Sequence, residues 1–411
     1  MYTINHTLVL LSLKKIKPFC LLSFFLSSKS KYHLVIFKKT VYYSYMKLHY
    51  NQLLLIMILG VLLSACGPKS DEQPAPPPFT FTTPDHFGNS FTIPEDNHMT
   101  EAGIDLGRHL FFDKRLSKNS QVSCATCHQP SKAFTDGLPV SVGIDGRTTT
   151  RNSMSLVNLL WVNRFFWDGR ANSLEEQALQ PIQDEREMGI TLIELVAKIE
   201  AIPVYKEKFN AAFGSETVSP DRVAKALAQF QRSLISAGSR FDKIRRGEVQ
   251  PTEREQRAID LFFTHPEPSA PIPLRGGNCG DCHGSNLTTL NTFHNNGLDL
   301  VPSDLGVGAI TGRDTDNGKM RAPSLRNIAL TAPYMHDGRF KTLEEILDHY
   351  NEHIQPTANL DPLITAASNE IQGKSLALTT QEKKDIVFFL KMLTDSSFIN
   401  NPAFQNPWPD Q

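Results

Sequence analysis

The sequence predicts a mainly α-helical protein of two domains with long loops, on three observations. Apolar residues recur at helical spacing behind capping residues, strand-like alternation is scarce, and each half carries one Cys-x-x-Cys-His pentapeptide. These are Cys124-Ala125-Thr126-Cys127-His128 and Cys279-Gly280-Asp281-Cys282-His283. At 411 residues, 40% hydrophobic and 21% charged, the chain has the composition of an ordinary globular protein and the length for two cores.

The pentapeptide spacing has a definite chemistry. Two thiols separated by two residues reach the two vinyl groups of one porphyrin, and the His that follows lies beneath the iron as its proximal ligand. Zinc sites and redox dithiols also use Cys-x-x-Cys. A zinc ribbon, however, keeps its two pairs about 15–20 residues apart. Here they start 155 residues apart and each carries the extra His. Two covalently bound haem c groups are therefore expected, on Cys124 and Cys127 with His128, and on Cys279 and Cys282 with His283. Because haem fills part of each core, the expected architecture is two c-type cytochrome-like haem domains.

The elements follow in order. Residues 1–45 contain no Asp or Glu and precede a complete export signal, so they read as a doubtful upstream extension. The alternative, a second hydrophobic anchor, is interrupted by Lys14, Lys15 and Lys17. Residues 46–66 read as a lipoprotein signal peptide: Met46-Lys47, an apolar run from Leu53 to Leu63, then Leu63-Ser64-Ala65-Cys66-Gly67, which makes Cys66 the lipidated residue. The expected location is periplasmic, on a bacterial membrane, the outer one by preference, through the lipid anchor only. Haem attachment outside the cytoplasm agrees, and with Cys20 in the extension the Cys count requires no disulfide.

Of 42 basic and 43 acidic residues, residues 1–66 hold eight Lys and no acid, so the remainder carries a net charge of −9. Such an acidic surface does not suggest nucleic acid and suits a basic redox partner, although it also serves solubility alone. Residues 67–98, with Pro74, Pro76, Pro77 and Pro78, read as a flexible tether. A helix is expected from Thr100, followed by others over Leu174 to Leu179, Thr191 to Ile199, Ser219 to Ser236, Thr252 to Phe263, Leu343 to Tyr350 and Thr380 to Leu393. Ser219-Pro220-Asp221 and Thr379-Thr380-Gln381-Glu382 carry clear start signals. The domains are expected at 99–248 and 249–400.

Histidine positions make the two haem sites unequal. No His occurs between His128 and His265, so a His closing the first iron must come from His86, His98, His109 or the other half. Met154 and Met188 are available but Met is commonly core filler. An open first iron, able to bind peroxide, is the expectation. A plain di-haem electron carrier with both irons closed is the non-enzymatic alternative.

The chain resembles the bacterial di-haem cytochrome c peroxidases and the related MauG-type enzymes over residues 100–400. The resemblance rests on five blocks in the family's order: Leu106-Gly107-Arg108-His109-Leu110-Phe111-Phe112-Asp113, Cys124 to His128, Phe166-Trp167-Asp168-Gly169-Arg170-Ala171, Cys279 to His283, and Leu325 through Pro333-Tyr334-Met335-His336-Asp337-Gly338. It implies a peroxidatic first haem with Glu187 as the distal acid–base group, Gln177 orienting peroxide and Trp167 relaying electrons between the haems. Each has a plainer reading: Glu187 in the polar run Asp184 to Glu187, Gln177 as a helix-surface amide, Trp167 as core. It also implies a Ca²⁺ ion between the haems on Asn152 and the carbonyls of Thr331 and Pro333.

Two departures from the family pattern bear on mechanism. Family members that need reductive activation carry a His sixteen residues after the first proximal His, where this chain has Ile144. The usual Met ligand of the second iron, fourteen residues after the His of the Pro-Tyr-x-His block, is replaced by Tyr350. A tyrosinate there lowers the reduction potential relative to Met, as the MauG-type enzymes imply. Met320 and Met335 are alternative ligands. The expected reaction is reduction of hydrogen peroxide to water with electrons from a small exported cytochrome c or cupredoxin. A MauG-type oxidation of a partner protein's Trp or Tyr is the enzymatic alternative, and a homodimer is compatible with the sequence.

Overall fold

The computed structural model describes residues 77–80 and 82–408, all within the compact unit Gln73–Gln411. The upstream extension, the signal segment, Cys66 and the first part of the expected tether lie outside the described residues. No helix among the described residues is long and apolar enough to cross a membrane.

Among the described residues the helices of six or more residues are α1 (Glu101–Phe112), α2 (Leu174–Gln183), α3 (Leu192–Glu200), α4 (Val204–Phe213), α5 (Pro220–Ser233), α6 (Arg240–Arg245), α7 (Glu253–Phe263), α8 (Leu343–Asp348) and α9 (Thr380–Met392). Their starts are set by side chains that accept orphan N–H groups of the first turn. Thr100 Oγ1 accepts from Gly103 N at 2.9 Å, and Thr191, Thr252 and Thr379 close capping boxes with Glu194, Glu255 and Glu382. Two helices escape the sequence reading: α4, which begins directly after Pro203, and the short α6, capped by Ser239. The stretch expected as helix from Leu343 to Tyr350 leaves α geometry at Asp348 and continues as a π-helical turn, His349–His353.

Two cores result. The first is drawn from residues 106–234, with α1 crossing α5. That crossing is close because a side chain at Gly107 would strike the Ala226 carbonyl and Phe230, so only glycine permits it. Phe111, Tyr205, Phe209 and Phe230 are fully buried around it, each worth roughly 1.5–3 kcal/mol in area removed from water. The second core packs α7 on α9 through Phe241, Phe262, Ile386 and Phe389. The chain then returns to the first core with Phe398, Phe404 and Trp408, whose indole meets His109 edge-on at 5.0 Å.

Residues 84–98 correct the reading of 67–98 as a flexible tether. Phe87 is buried against Trp161, ring centroids 5.3 Å apart, and Phe91 and Ile93 pack on the same cluster. Asn97, also buried, accepts from Gln229 Nε2 at 2.8 Å. The prolines and polar residues of this stretch obscured its few apolar anchors, which suffice to lay it across the body as a strap.

Extended structure among the described residues is confined to short pairings. Among the described residues one two-stranded sheet occurs, β1 (Phe293–His294) antiparallel to β2 (Met320–Arg321) with Phe293 opposite Arg321. It brings β2 to the Trp167 loop, where Arg321 N donates to Trp167 O at 2.8 Å.

Candidate active site

Each pentapeptide forms one helical turn, Cys124–Cys127 and Gly280–His283, behind Ser123 and Cys279 respectively. The histidines of the two motifs are held alike. His128 Nδ1 lies 2.8 Å from Phe134 O, and His283 Nδ1 lies 3.0 Å from Pro323 O. A carbonyl on Nδ1 fixes the proton there and leaves Nε2 as the basic atom available to a metal. Burial pushes both imidazoles toward the neutral form, His283 to about 4, which is the ligating form. All four thiols are unpaired, with burial raising each to about 12.

Sixteen residues after His128 stands Ile144, not a His. Its side chain is buried in the first core and its N–H donates to Glu187 O at 2.9 Å. Gly143 allows this approach, since a Cβ there would collide with the Arg186 carbonyl. The Glu187 loop is pinned again where Glu187 N donates to Asp184 O at 2.9 Å and Lys118 N to Met188 O at 3.0 Å. The carboxyl stands close enough to Cys124 and Cys127 that its charge adds to the lift of both thiols. Burial, then the charge of Asp184, raises Glu187 to about 7, and Arg170 opposes them. The acidic run of the sequence thus splits: Asp184, Glu185 and Arg186 are exposed, while Glu187 turns inward. Gln177 is half-buried on α2, next to the core residue Ala178, and the Glu187 loop folds back along the end of that helix. Met188 is buried core, as a Met usually is.

The second motif opens on a cavity of about 560 Å³ that also collects Tyr350, Met320 and Met335, so all three candidate ligands reach it. Tyr350 sits on the π-helical turn, a device common at functional sites. Asn296 Nδ2 lies 3.1 Å from Tyr350 Oη and 3.6 Å from Met335 Sδ, so one amide positions both. His349 is turned away onto Asn296 O at 3.0 Å. Burial raises the Tyr350 phenol to about 12, against the Asn296 hydrogen bond.

Trp167, Asn152, Thr331, Pro333 and His336 line the same cavity. Trp167 Nε1 donates to Asn152 O at 2.9 Å, and its ring meets His336 edge-on at 6.5 Å. Asn152 uses its side-chain N–H on Leu138 O at 2.8 Å, which leaves Oδ1 as the atom for a cation. Among the described residues no three or more His, Cys, Asp or Glu gather to hold a metal. A cation beside Asn152 would rest on amide and carbonyl oxygens. Arg151, which spans Asp304 at 2.7 Å and Asp168 at 2.5 Å, braces the Trp167 loop. The sequence reading missed Arg151, Asn296 and Arg321, because an isolated Asn or Arg carries no local signal.

Residues 101–250 match the family model described as di-haem cytochrome c peroxidase. The methylamine utilization protein MauG of Methylophilus methylotrophus is 33% identical over 343 residues, 82% of this chain and 94% of its own. The chain belongs to the di-haem cytochrome c peroxidase family. Within this family both branches are similar to it: the cytochrome c551 peroxidase of Nitrosomonas europaea is 33% identical over 301 residues, 72% of this chain and 82% of its own. A MauG-like protein associated with microbial copper homeostasis superposes with a TM-score of 0.72 at 38% identity, covering 80% of this chain and 99% of that one. The di-haem peroxidase BthA of Burkholderia thailandensis shares the fold, TM-score 0.62 at 24% identity over 81% and 98% of the two chains. Family membership implies covalently bound haem c. The cysteine pairs, the two Nδ1-anchored histidines and the cavity under the second motif fit that group.

Proposed function

We propose that this di-haem peroxidase family member reduces hydrogen peroxide to water at the haem on Cys124, Cys127 and His128. Haem iron supplies the electron transfer, so that peroxide, two electrons and two protons give two waters. Glu187 would take a proton from one peroxide oxygen and return it to the other, a task that needs proton affinity near the working pH. Gln177 orients the peroxide from α2, and Trp167, held by Asn152 O, relays electrons between the two sites. The donor is a small exported cytochrome c or cupredoxin, and Cys66 anchors the protein on the periplasmic side. Asn152 and the carbonyls of Thr331 and Pro333 would hold Ca²⁺. The observation that carries the reading is the pairing of a buried Ile144 with an inward Glu187 at the first motif.

Because no imidazole stands at position 144, the fully oxidised enzyme is expected to oxidise a reduced small cytochrome c with peroxide from the first turnover. Stopped-flow absorbance checks this. A lag abolished by pre-reduction removes the open first site, and no turnover by the di-haem protein with or without pre-reduction removes the peroxidase reading.

A MauG-type oxidation of a partner protein is the second reading, favoured by Tyr350 at the second site and by the MauG relatives. Tyr350 as ligand makes a direct prediction: Tyr350→Met raises the midpoint potential of the second haem, since Met/His ligation favours ferrous iron. Spectroelectrochemical titration of wild type and variant measures it. Unchanged potentials would transfer the ligand role to Met320 or Met335. Persistence of the peroxide-oxidised state for minutes in the wild type favours protein modification over peroxide removal.

A further inference from the structure

Arg321 is a buried cation whose partners are all neutral. It ends β2 with 6% of its surface exposed. Its Nη1 donates to Arg164 O at 2.8 Å and its Nη2 to Asn291 Oδ1 at 2.8 Å. Its Nε is buried without a hydrogen-bond partner, and no carboxylate among the described residues pairs with the guanidinium. Arg326, buried as deeply, shows the usual remedy in this same fold, an ion pair with Asp242 at 2.6 Å. A buried charge without a counter-charge is costly and persists only where something supplies one.

Arg321 lines the cavity shared by Cys279, Cys282 and His283. A haem attached there brings two propionate carboxylates, and the cavity wall has to answer them. We propose that Arg321 is the counter-charge of a propionate of the second haem, its guanidinium facing the charge that Arg164 O and Asn291 Oδ1 do not supply. The proposal rests on the reading of Cys279 to His283 as a haem site. It also gives the β1–β2 pairing a purpose, because the backbone of Arg321 holds the Trp167 carbonyl while its side chain holds the haem edge. A fixed positive charge beside the macrocycle favours the reduced iron, so Arg321 raises the potential of the second site.

The test uses the full haem-loaded chain with Arg321→Gln and Arg321→Lys. Haem stoichiometry comes from the pyridine haemochrome, potentials from spectroelectrochemistry, and geometry from a crystal structure with both haems. Arg321→Gln is expected to keep two haems and to shift one reduction equilibrium about tenfold toward the oxidised form, 59 mV for one electron. The other potential stays in place, and Arg321→Lys falls between wild type and Gln. Loss of the second haem from Gln but not from Lys also supports a charge requirement. Unmoved potentials in di-haem Arg321→Gln, loss of haem from both variants alike, or second-haem propionates paired away from Arg321 each overturn the proposal. A wild-type protein with one haem removes the underlying site reading instead, and the haem count separates that case.

Discussion

Glu187→Gln is expected to lower peroxide turnover by about 100- to 10,000-fold while both haems remain attached, the range for a lost general acid–base group. The carboxyl is raised to about 7 by burial and by Asp184, and in its first task it acts as a base. The ionised form is the one required, so kcat/KM for peroxide in the wild type rises as pH climbs through about 7 and then levels. Glu187→Gln removes that limb, and Glu187→Asp, with a shorter reach, recovers part of the rate but not the full slope. Stability moves the other way. A carboxyl with raised proton affinity in the folded state stabilises the fold fully below its ordinary value and loses that contribution as pH rises through about 7. Glu187→Gln is therefore at least as stable as wild type at pH 8, by about 1–3 kcal/mol from the size of the shift. Stopped-flow rates across pH with matched thermal melts check both signs. Equal rates in wild type and Glu187→Gln would return Glu187 to an ordinary loop residue.

The same residue shows what the sequence could disclose. The family resemblance singled out Glu187, but in the sequence it is one acid in the run Asp184 to Glu187. Only the fold distinguishes it, because Ile144 and Met188 pin the loop so that this carboxyl alone turns inward. Helix positions were legible because caps and periodicity are local, as at Thr100, Thr252 and Thr379. The strap at 84–98 was not, since its order depends on distant partners, Trp161 and Asp242. Tyr350 was legible as a residue but not as a π-helical position, because the helical pattern from Leu343 carries no signal for the change of winding at His349. Asn296 and Arg321 were invisible for a related reason: each acquires meaning only from the cavity that the second motif, β2 and the π-helical turn enclose together.

Breaking the Asp242–Arg326 pair is expected to cost about 3–5 kcal/mol of folding stability, the range for removing one partner of a buried ion pair. Both side chains are fully buried. Asp242 Oδ2 accepts from Arg326 Nη1 at 2.6 Å and from Ser239 N at 2.9 Å, while Oδ1 lies 2.7 Å from His86 Nε2. Arg326 reaches onward to the carbonyl of Asn286, three residues beyond His283, with its guanidinium between the rings of Phe87 and Phe241 at 5.0 and 5.5 Å. One ion pair thus ties the strap, α6 and the loop after the second haem motif. Arg326→Met leaves Asp242 buried with only Ser239 and His86, and Asp242→Asn leaves the guanidinium uncompensated. Either single change should lower the urea midpoint of the haem-loaded protein sharply. The double variant should lose less than the sum, since neither charge is then stranded. The pH sign follows from Asp242. Burial acts to raise it, but Arg326, Ser239 and His86 outweigh burial and hold it below the ordinary 3.8. Its stabilising contribution is therefore present above that value and lost as pH falls through the native one, so the gap between wild type and Asp242→Asn narrows in acid. Additive single effects, or a gap independent of pH, would show that the two side chains act as separate packing elements. In that case the strap would be held by Phe87, Phe91 and Ile93 on the Trp161 cluster and by Asn97 on Gln229.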